Sequence, residues 1–296
     1  MTESWTIKTL LQISTDYLEK KGIESPRLTS EVLLAHQLGV DRVNLYINFD
    51  KPLSQIEISG YRDLIKRRLR REPLQYITGI QEFWSLVFAV DKRVLIPRPE
   101  TELLVETCLS HLQETDWRNG RSPRILDLGT GSGILAICLA KELPHARIWA
   151  TDVSADALDL ARQNAETHGV QGKIEFREGD MWGPVAGQNI LFDMILSNPP
   201  YVALEDYDNL PAEVRDFEPE KALNGEKGGM KYIEEIIAGS LDFLEPGGWV
   251  MIEMDPNQTS KALGLIGTIG GYGKNFRIKD YTHSYRVVAA QRKPVC

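Results

Sequence analysis

Apolar positions in the first 75 residues recur at helical spacing. Ile7, Leu10, Leu11 and Leu18 fall on one stripe, and Leu28, Val32, Ala35 and Leu38 on another, the recurrence of an amphipathic helix. Ser25-Pro26 reads as a helix start, with Ser at the N-cap and Pro in the first turn. Gly39 reads as the stop. Ser54-Gln55-Ile56-Glu57 spells a capping box, in which Ser and Glu each satisfy the other's free backbone amide. Ile58, Ile65 and Leu69 then face one way. The expectation is a bundle of about four helices.

The period then changes. Tyr76-Ile77-Thr78-Gly79 and the run from Phe83 to Val90 are rich in aromatic and β-branched residues, which predicts a β-hairpin. From Arg124 onward, apolar strands at 124–128, 147–151, 173–177, 191–197 and 247–253 alternate with helical segments at 132–141, 155–168, 229–244 and 257–266. Such alternation predicts an α/β fold, a parallel sheet covered on both faces. Residues 276–280 and 284–288 read as a closing antiparallel pair. Three parts are expected: a helical domain over 1–75, a hairpin linker over 76–96 and an α/β domain over 97–296.

Composition narrows the class. The chain has 296 residues, 42% of them hydrophobic, enough for a core that needs no cross-link. Cys108, Cys138 and Cys296 are far apart and form no CxxC pair. That argues against a disulfide framework and for a reducing compartment, the cytoplasm. Met1 to Trp5 carries no basic or apolar leader pattern. No run of about 18 apolar residues predicts a membrane span. The five histidines form no H-E-x-x-H or similar cluster, so no metal site is expected.

A net charge of −8 argues against a protein that coats nucleic acid. The charge is uneven. Residues 1–75 hold 12 Lys/Arg and 10 Asp/Glu, a net +2, and the remainder carries −10. Arg62, Lys66, Arg67, Arg68, Arg70 and Arg71 make a basic run on one helix. It is either a solvated face or a docking patch for an acidic partner.

The most informative stretch is Ile125-Leu126-Asp127-Leu128-Gly129-Thr130-Gly131-Ser132-Gly133, a buried strand entering a glycine turn before a helix. Glycine lets a ligand approach the backbone closely. A dinucleotide fingerprint would need Gly at 134, where Ile134 stands. A P-loop would need Ser or Thr after Gly-Lys, but Gly172-Lys173 and Gly273-Lys274 precede Ile174 and Asn275. What remains, D-x-G-x-G-x-G, resembles the first motif of S-adenosylmethionine-dependent methyltransferases, which implies Gly129, Thr130, Gly131, Ser132 and Gly133 at the cofactor. Asp152 ends the next strand, where a carboxylate can accept both hydroxyls of a ribose. Ser154 fills the adjoining helix cap, which frees Asp152 for that role. The same resemblance implies Asp180 beside the adenine. Trp182 is either a cover for its ring or a core aromatic.

The strand Phe192–Ser197 delivers Asn198-Pro199-Pro200-Tyr201 at its C-terminal end, the edge where open α/β sheets bind ligands. X-Pro-Pro is stiff and extended, and its prolines donate no N–H. Carbonyl oxygens and the Asn198 amide oxygen are therefore acceptors, able to grip and orient a planar nitrogen. Tyr201 can stack on the planar group. This loop resembles methyltransferases acting on planar nitrogens, among them DNA adenine-N6 and protein glutamine-N5 enzymes.

Further segments resemble the HemK/PrmC family. They are Pro73–Gly79, Glu82-Phe83-Trp84, Val94–Glu102, Phe217-Glu218-Pro219, Ala222-Leu223, Gly228-Gly229, Lys279-Asp280-Tyr281 and Arg286-Val287-Val288. The resemblance covers essentially the whole chain. It implies a seven-stranded, Rossmann-like methyltransferase domain behind a helical, substrate-docking head. It also implies methylation of the glutamine in the Gly-Gly-Gln motif of peptide chain release factors, with S-adenosylmethionine as donor. Asn198, Pro199 and Tyr201 would be catalytic, Asn198 would also touch the cofactor, and Pro200 would join the three in holding the substrate. Met254-Asp255 stands where the family usually has Ile-Gly or Val-Gly; lying away from the motifs, it is expected to have local effects only. A DNA adenine-N6 methyltransferase remains the alternative, though it needs a basic cleft that the acidic body lacks. A binding module without catalysis would be expected to have lost Asn198 or the glycines, which are intact.

Overall fold

The computed structural model describes residues 5–113 and 121–294. Cys296 and the opening Met1–Ser4 lie outside them. The chain divides into two units: residues 1–80 with 211–217, and residues 81–210 with 218–296.

The first unit holds α1 (Ile7–Lys20), α2 (Pro26–Leu38), α3 (Arg42–Ile47), α4 (Gln55–Leu69) and α5 (Leu74–Thr78). Its core gathers Leu10, Leu11, Leu18, Leu33, Leu34, Ile58 and Tyr61. The capping box at Ser54 is formed: Ser54 Oγ accepts from Glu57 N, and Ser54 N donates to Glu57 Oε2 at 2.7 Å. Gly39 ends α2 in the left-handed conformation, φ +64°. Three local expectations fail. Ser25 is itself left-handed, φ +47°, and makes no side-chain cap, because capping needs an extended backbone at that position. Leu28 is exposed and Val32 half-buried, since α2 turns Thr29, Ser30, Leu33 and Leu34 inward instead. Residues 76–78 are helical. Gly79 N closes α5 on Gln75 O at 2.7 Å, and Ile77 joins the helical core.

The second unit opens on a hairpin, β1 (Ile80–Phe83) and β2 (Leu86–Ala89), whose first residue marks the boundary. Its turn residues Trp84 and Ser85 both have positive φ, 52° and 56°, as a two-residue turn matching strand twist requires. There follow α6 (Glu102–Gln113), β3 (Arg124–Leu128), α7 (Ile134–Glu142), β4 (Arg147–Asp152), α8 (Ala155–Thr167), β5 (Ile174–Glu178) and β6 (Phe192–Ser197). After α9 (Ala212–Arg215), which belongs with the helical unit, come α10 (Glu220–Leu223), α11 (Lys231–Phe243), β7 (Leu244–Glu253), α12 (Thr259–Thr268), β8 (Tyr272–Lys279) and β9 (Tyr285–Arg292).

Seven strands form one sheet in the order β5-β4-β3-β6-β7-β9-β8, parallel except at β9 and β8. Strand residues alternate between its two faces. Ile125, Met194 and Met251 pack toward α6 and α7, whereas Leu126, Ile195 and Val250 pack toward α11 and α12. The Rossmann-like fold and its closing antiparallel pair are as the pattern predicted. The chain leaves β3 toward β4 on one side and later returns to β6 on the other. That reversal opens a crevice at the strands' C-terminal ends. Among the described residues no helix is long and apolar enough to cross a membrane.

Candidate active site

A cavity of about 690 Å³ lies at that crevice. Leu128, Asp152, Gly179 and Ser197 bring the ends of β3, β4, β5 and β6 to its wall. Gly129, Thr130, Gly131, Ser132, Asp152 and Asp180 all line it, as do Asn198, Pro199 and Pro200.

The three loop glycines divide their work. Gly129 and Gly131 have φ of 78° and 55°, and a Cβ on either would meet nothing within 4 Å. Both present bare backbone to open space, as a closely bound ligand requires. Gly133 does not line the cavity. A Cβ there would stand 3.0 Å from Ile137 Cδ1 and 3.1 Å from Ala161 Cβ, so this glycine serves the packing of α7 on α8.

Asp152 is fixed by the backbone. Its Oδ2 accepts from Gly131 N at 2.8 Å and its Oδ1 from Ser154 N at 2.9 Å. Burial raises its pKa against the pull of those amides. Each oxygen keeps a further lone pair for a donor in the cavity. Ser154 caps α8 through Ala157 N at 3.2 Å, as the sequence suggested. Asp127, one layer beneath, is buried; burial lifts its pKa to about 7, against bonds from Thr130 and Ala136. Its Oδ1 has no partner.

Trp182 does not line the cavity. Its indole stacks on Phe243 at 4.8 Å and 6°, with Nε1 donating to Glu235 O at 3.3 Å. The core alternative describes it, and Met181 reaches the cavity in its place.

At the Asn198-Pro199-Pro200 loop, Asn198 Nδ2 donates to Thr101 Oγ1 at 3.1 Å. Tyr201 is not among the lining residues. It packs beside the core under α11 and α12, near Glu253, and burial raises its pKa. Pairing of Ser197 with Ile252 brings Glu253 level with this loop. The segment after β7 is therefore not remote, contrary to the sequence expectation. Gln258 Nε2 donates to Tyr201 O at 2.8 Å, and Asp255 N donates to Gln258 Oε1 at 3.0 Å.

Thr101 and Glu253 escaped the sequence reading as site residues. Within the family-like segment Val94–Glu102, Pro97, Arg98 and Thr101 line the cavity. Glu218, buried after the loop, accepts from Ile96 N at 3.0 Å and pairs with Arg98 at 2.5 Å. It ties the two walls together.

A family model described as the methyltransferase small domain matches residues 100–213. Among solved structures, the hMettl16 catalytic domain in complex with the MAT2A 3′UTR hairpin 6 is similar, with TM-score 0.55 and 18% identity, over 75% of this chain and 80% of that one. The 16S rRNA N2 G1207 methyltransferase RsmC of T. thermophilus, in complex with AdoMet and guanosine, gives TM-score 0.50 and 17% identity, over 72% and 50%. These likenesses bear on the fold, and with the glycine loop they define the class: a Rossmann-like methyltransferase.

The model of the PrmC N-terminal domain matches residues 9–79. The chain is 43% identical over 268 residues to the release factor glutamine methyltransferase of Geobacter sulfurreducens, covering 90% of each chain. It is 38% identical over 293 residues to that of Rhodopirellula baltica, covering 97% of each. The chain belongs to the release factor glutamine methyltransferase family.

Proposed function

We propose that the protein transfers a methyl group from S-adenosylmethionine to the side-chain nitrogen, N5, of the glutamine in the Gly-Gly-Gln motif of peptide chain release factors. The reaction would take place in the cytoplasm and modulate translation termination. One observation carries the reading. Asn198 spends its NH2 on Thr101 at 3.1 Å, at the edge of the cavity that the glycine loop and Asp152 also line. Its oxygen is thereby left as an acceptor for a planar NH2 group. The full-length relatives named for release factor glutamine favour this reading over DNA adenine.

The cavity fits the donor. Gly129 and Gly131 offer unobstructed backbone, Asp152 offers acceptors for ribose hydroxyls, and Asp180 and Met181 border the region assigned to the base. When bound, S-adenosylmethionine supplies a methyl group on an already activated sulfonium. The chain's own residues orient the acceptor. A glutamine nitrogen is delocalised into its carbonyl and is a weak nucleophile. Asn198 Oδ1 and Pro199 O each accept one of its hydrogens and aim it in line. As the new bond forms, positive charge grows on that nitrogen and both hydrogen bonds strengthen, so they act on kcat. A proton then leaves to water.

The helical unit serves docking in this reading. Much of its basic run is engaged within the unit. Arg68 is buried and pairs with Glu213 at 2.6 Å, Arg67 pairs with Glu72, and Arg71 donates to Gly22 O. Arg62 and Arg70 are exposed and are the cations assigned to the partner.

Incubation with isotope-labelled S-adenosylmethionine and purified release factor, followed by mass spectrometry, tests the proposal. Label on the Gly-Gly-Gln glutamine is expected. Label on DNA, or on another residue of the release factor, would overturn it.

A further inference from the structure

The acceptor role of Asn198 requires more than its presence. An amide can turn over end for end, and the wrong face would set its NH2 against the substrate's NH2, donor against donor. Something has to decide which end faces the cavity.

We propose that Thr101, backed by Glu253 and Tyr201, is a positioning residue that locks the Asn198 amide with its oxygen toward the substrate nitrogen. Thr101 is fully buried, and its Oγ1 accepts from Asn198 Nδ2 at 3.1 Å. A hydroxyl carries one proton, and where that proton goes determines what else the oxygen can do. The Thr101 and Tyr201 side chains both favour the charged form of the Glu253 carboxyl against its burial, which makes that carboxyl the acceptor for the Thr101 proton. With the Thr101 proton directed to Glu253, its oxygen can only accept. Asn198 must then present NH2 to Thr101 and leave Oδ1 for the cavity.

Glu253 is suited to the task. It sits at the end of β7, 1% exposed, and its Oε2 has no hydrogen-bond partner. A buried carboxyl oxygen left without a donor is costly, and its retention calls for an explanation. Thr101 ends the turn Pro99–Thr101, whose backbone closes on Arg98 O at 3.1 Å. Strand register sets Glu253 beside Asn198. Tyr201, which does not line the cavity, acts on the same carboxyl by favouring its charged form.

This inference rests on the acceptor reading of Asn198, and the test separates the two. Single-turnover methylation is measured at saturating S-adenosylmethionine and release factor for wild type, Asn198→Ala, Thr101→Val, Thr101→Ser and the double variant Asn198→Ala/Thr101→Val. Valine copies the shape of threonine without its hydroxyl. Thr101→Val is expected to slow the step by about 10- to 100-fold, the scale of a mispositioned catalytic group, with KM and donor affinity unchanged. Thr101→Ser restores the hydroxyl and the rate. The double variant is no slower than Asn198→Ala alone, because Thr101 acts only through Asn198. Glu253→Gln is the second probe should Thr101→Val fold poorly. Its amide can donate to Thr101 and permit the wrong orientation, so a slower step at unchanged KM is expected. A wild-type rate in Thr101→Val or Glu253→Gln, beside a slow Asn198→Ala, overturns the positioning role alone. Additive losses in the double variant overturn it as well. A wild-type rate in Asn198→Ala overturns the acceptor reading beneath it.

Discussion

Glu31 in the helical unit and Glu253 in the sheet unit are equally buried but differ in the donors around them. Glu31 accepts from Arg27 at 2.5 Å, from Arg42 at 2.8 Å and from the Tyr46 hydroxyl. Burial would raise its pKa, but those three donors outweigh burial and hold the carboxyl below its usual value. Around Glu253 burial wins and lifts the pKa to about 7, with one oxygen unpartnered. Asp127 behaves like Glu253. A carboxylate used for structure is fully supplied with donors. Glu253 and Asp127, each interacting with a residue that lines the cavity, keep one oxygen without a donor.

The sharpest way to break this contrast is at the cavity. Asp152→Ala removes an acceptor from the ribose and should weaken S-adenosylmethionine binding by about 10- to 100-fold, or about 1–3 kcal/mol. Unchanged affinity by calorimetry would remove Asp152 from the site. Gly133→Ala should act on stability instead. Its left-handed backbone and the close Ile137 and Ala161 make a methyl group cost about 1–2 kcal/mol by chemical denaturation. Donor affinity of the folded fraction should hold, which separates this glycine from Gly129 and Gly131.

The two units should also respond oppositely to pH. Glu31 has its folded pKa below the unfolded value, so its stabilisation is present above the unfolded pKa near 4.5 and is lost as pH falls through the folded pKa. Glu31→Gln should cost about 1 kcal/mol at neutral pH and flatten that acid limb. Glu253 and Asp127 have raised pKa values. Between their unfolded values near 4 and about 7, the folded state keeps protons that the unfolded state has released. Their contribution therefore declines as pH rises through that window. Hydrogen exchange followed from pH 4 to 7 should show protection around β3 and β7 falling while that of α2 does not. The smallest effect is expected at Trp182. Trp182→Phe keeps the stack on Phe243 and should leave donor affinity unchanged; a marked loss would return the indole to the cofactor site.

Much of this was legible in the sequence, for physical reasons. The central strands are apolar runs bounded by turn residues, so β3, β4, β5 and β6 could be read to within a residue of their ends, whereas β7 starts three residues before the expected 247. The glycine loop and Asn198-Pro199-Pro200 declare themselves through backbone chemistry, which adjacent residues fix. Side-chain direction is less legible. Leu28 turned outward because the neighbouring Thr29 and Leu33 face the core, and Trp182 went to Phe243. Thr101 and Glu253 were invisible because they lie far apart in sequence and meet Asn198 only through the register of β6 on β7. The same register overturned the expectation that the turn at Met254-Asp255 is remote, since Gln258 holds the carbonyl of Tyr201.

The central claim is that Asn198 accepts a hydrogen of the substrate amide in the transition state. Single-turnover methylation of release factor by Asn198→Ala, with donor and release factor both saturating, tests it most directly. Loss of one such acceptor should lower the rate by about 10²- to 10³-fold, by analogy with removing one oxyanion-hole donor. Asn198→Asp keeps an acceptor and should retain more activity than Asn198→Ala. A wild-type rate in Asn198→Ala would contradict the account and leave the loop as a shaper of the cavity alone.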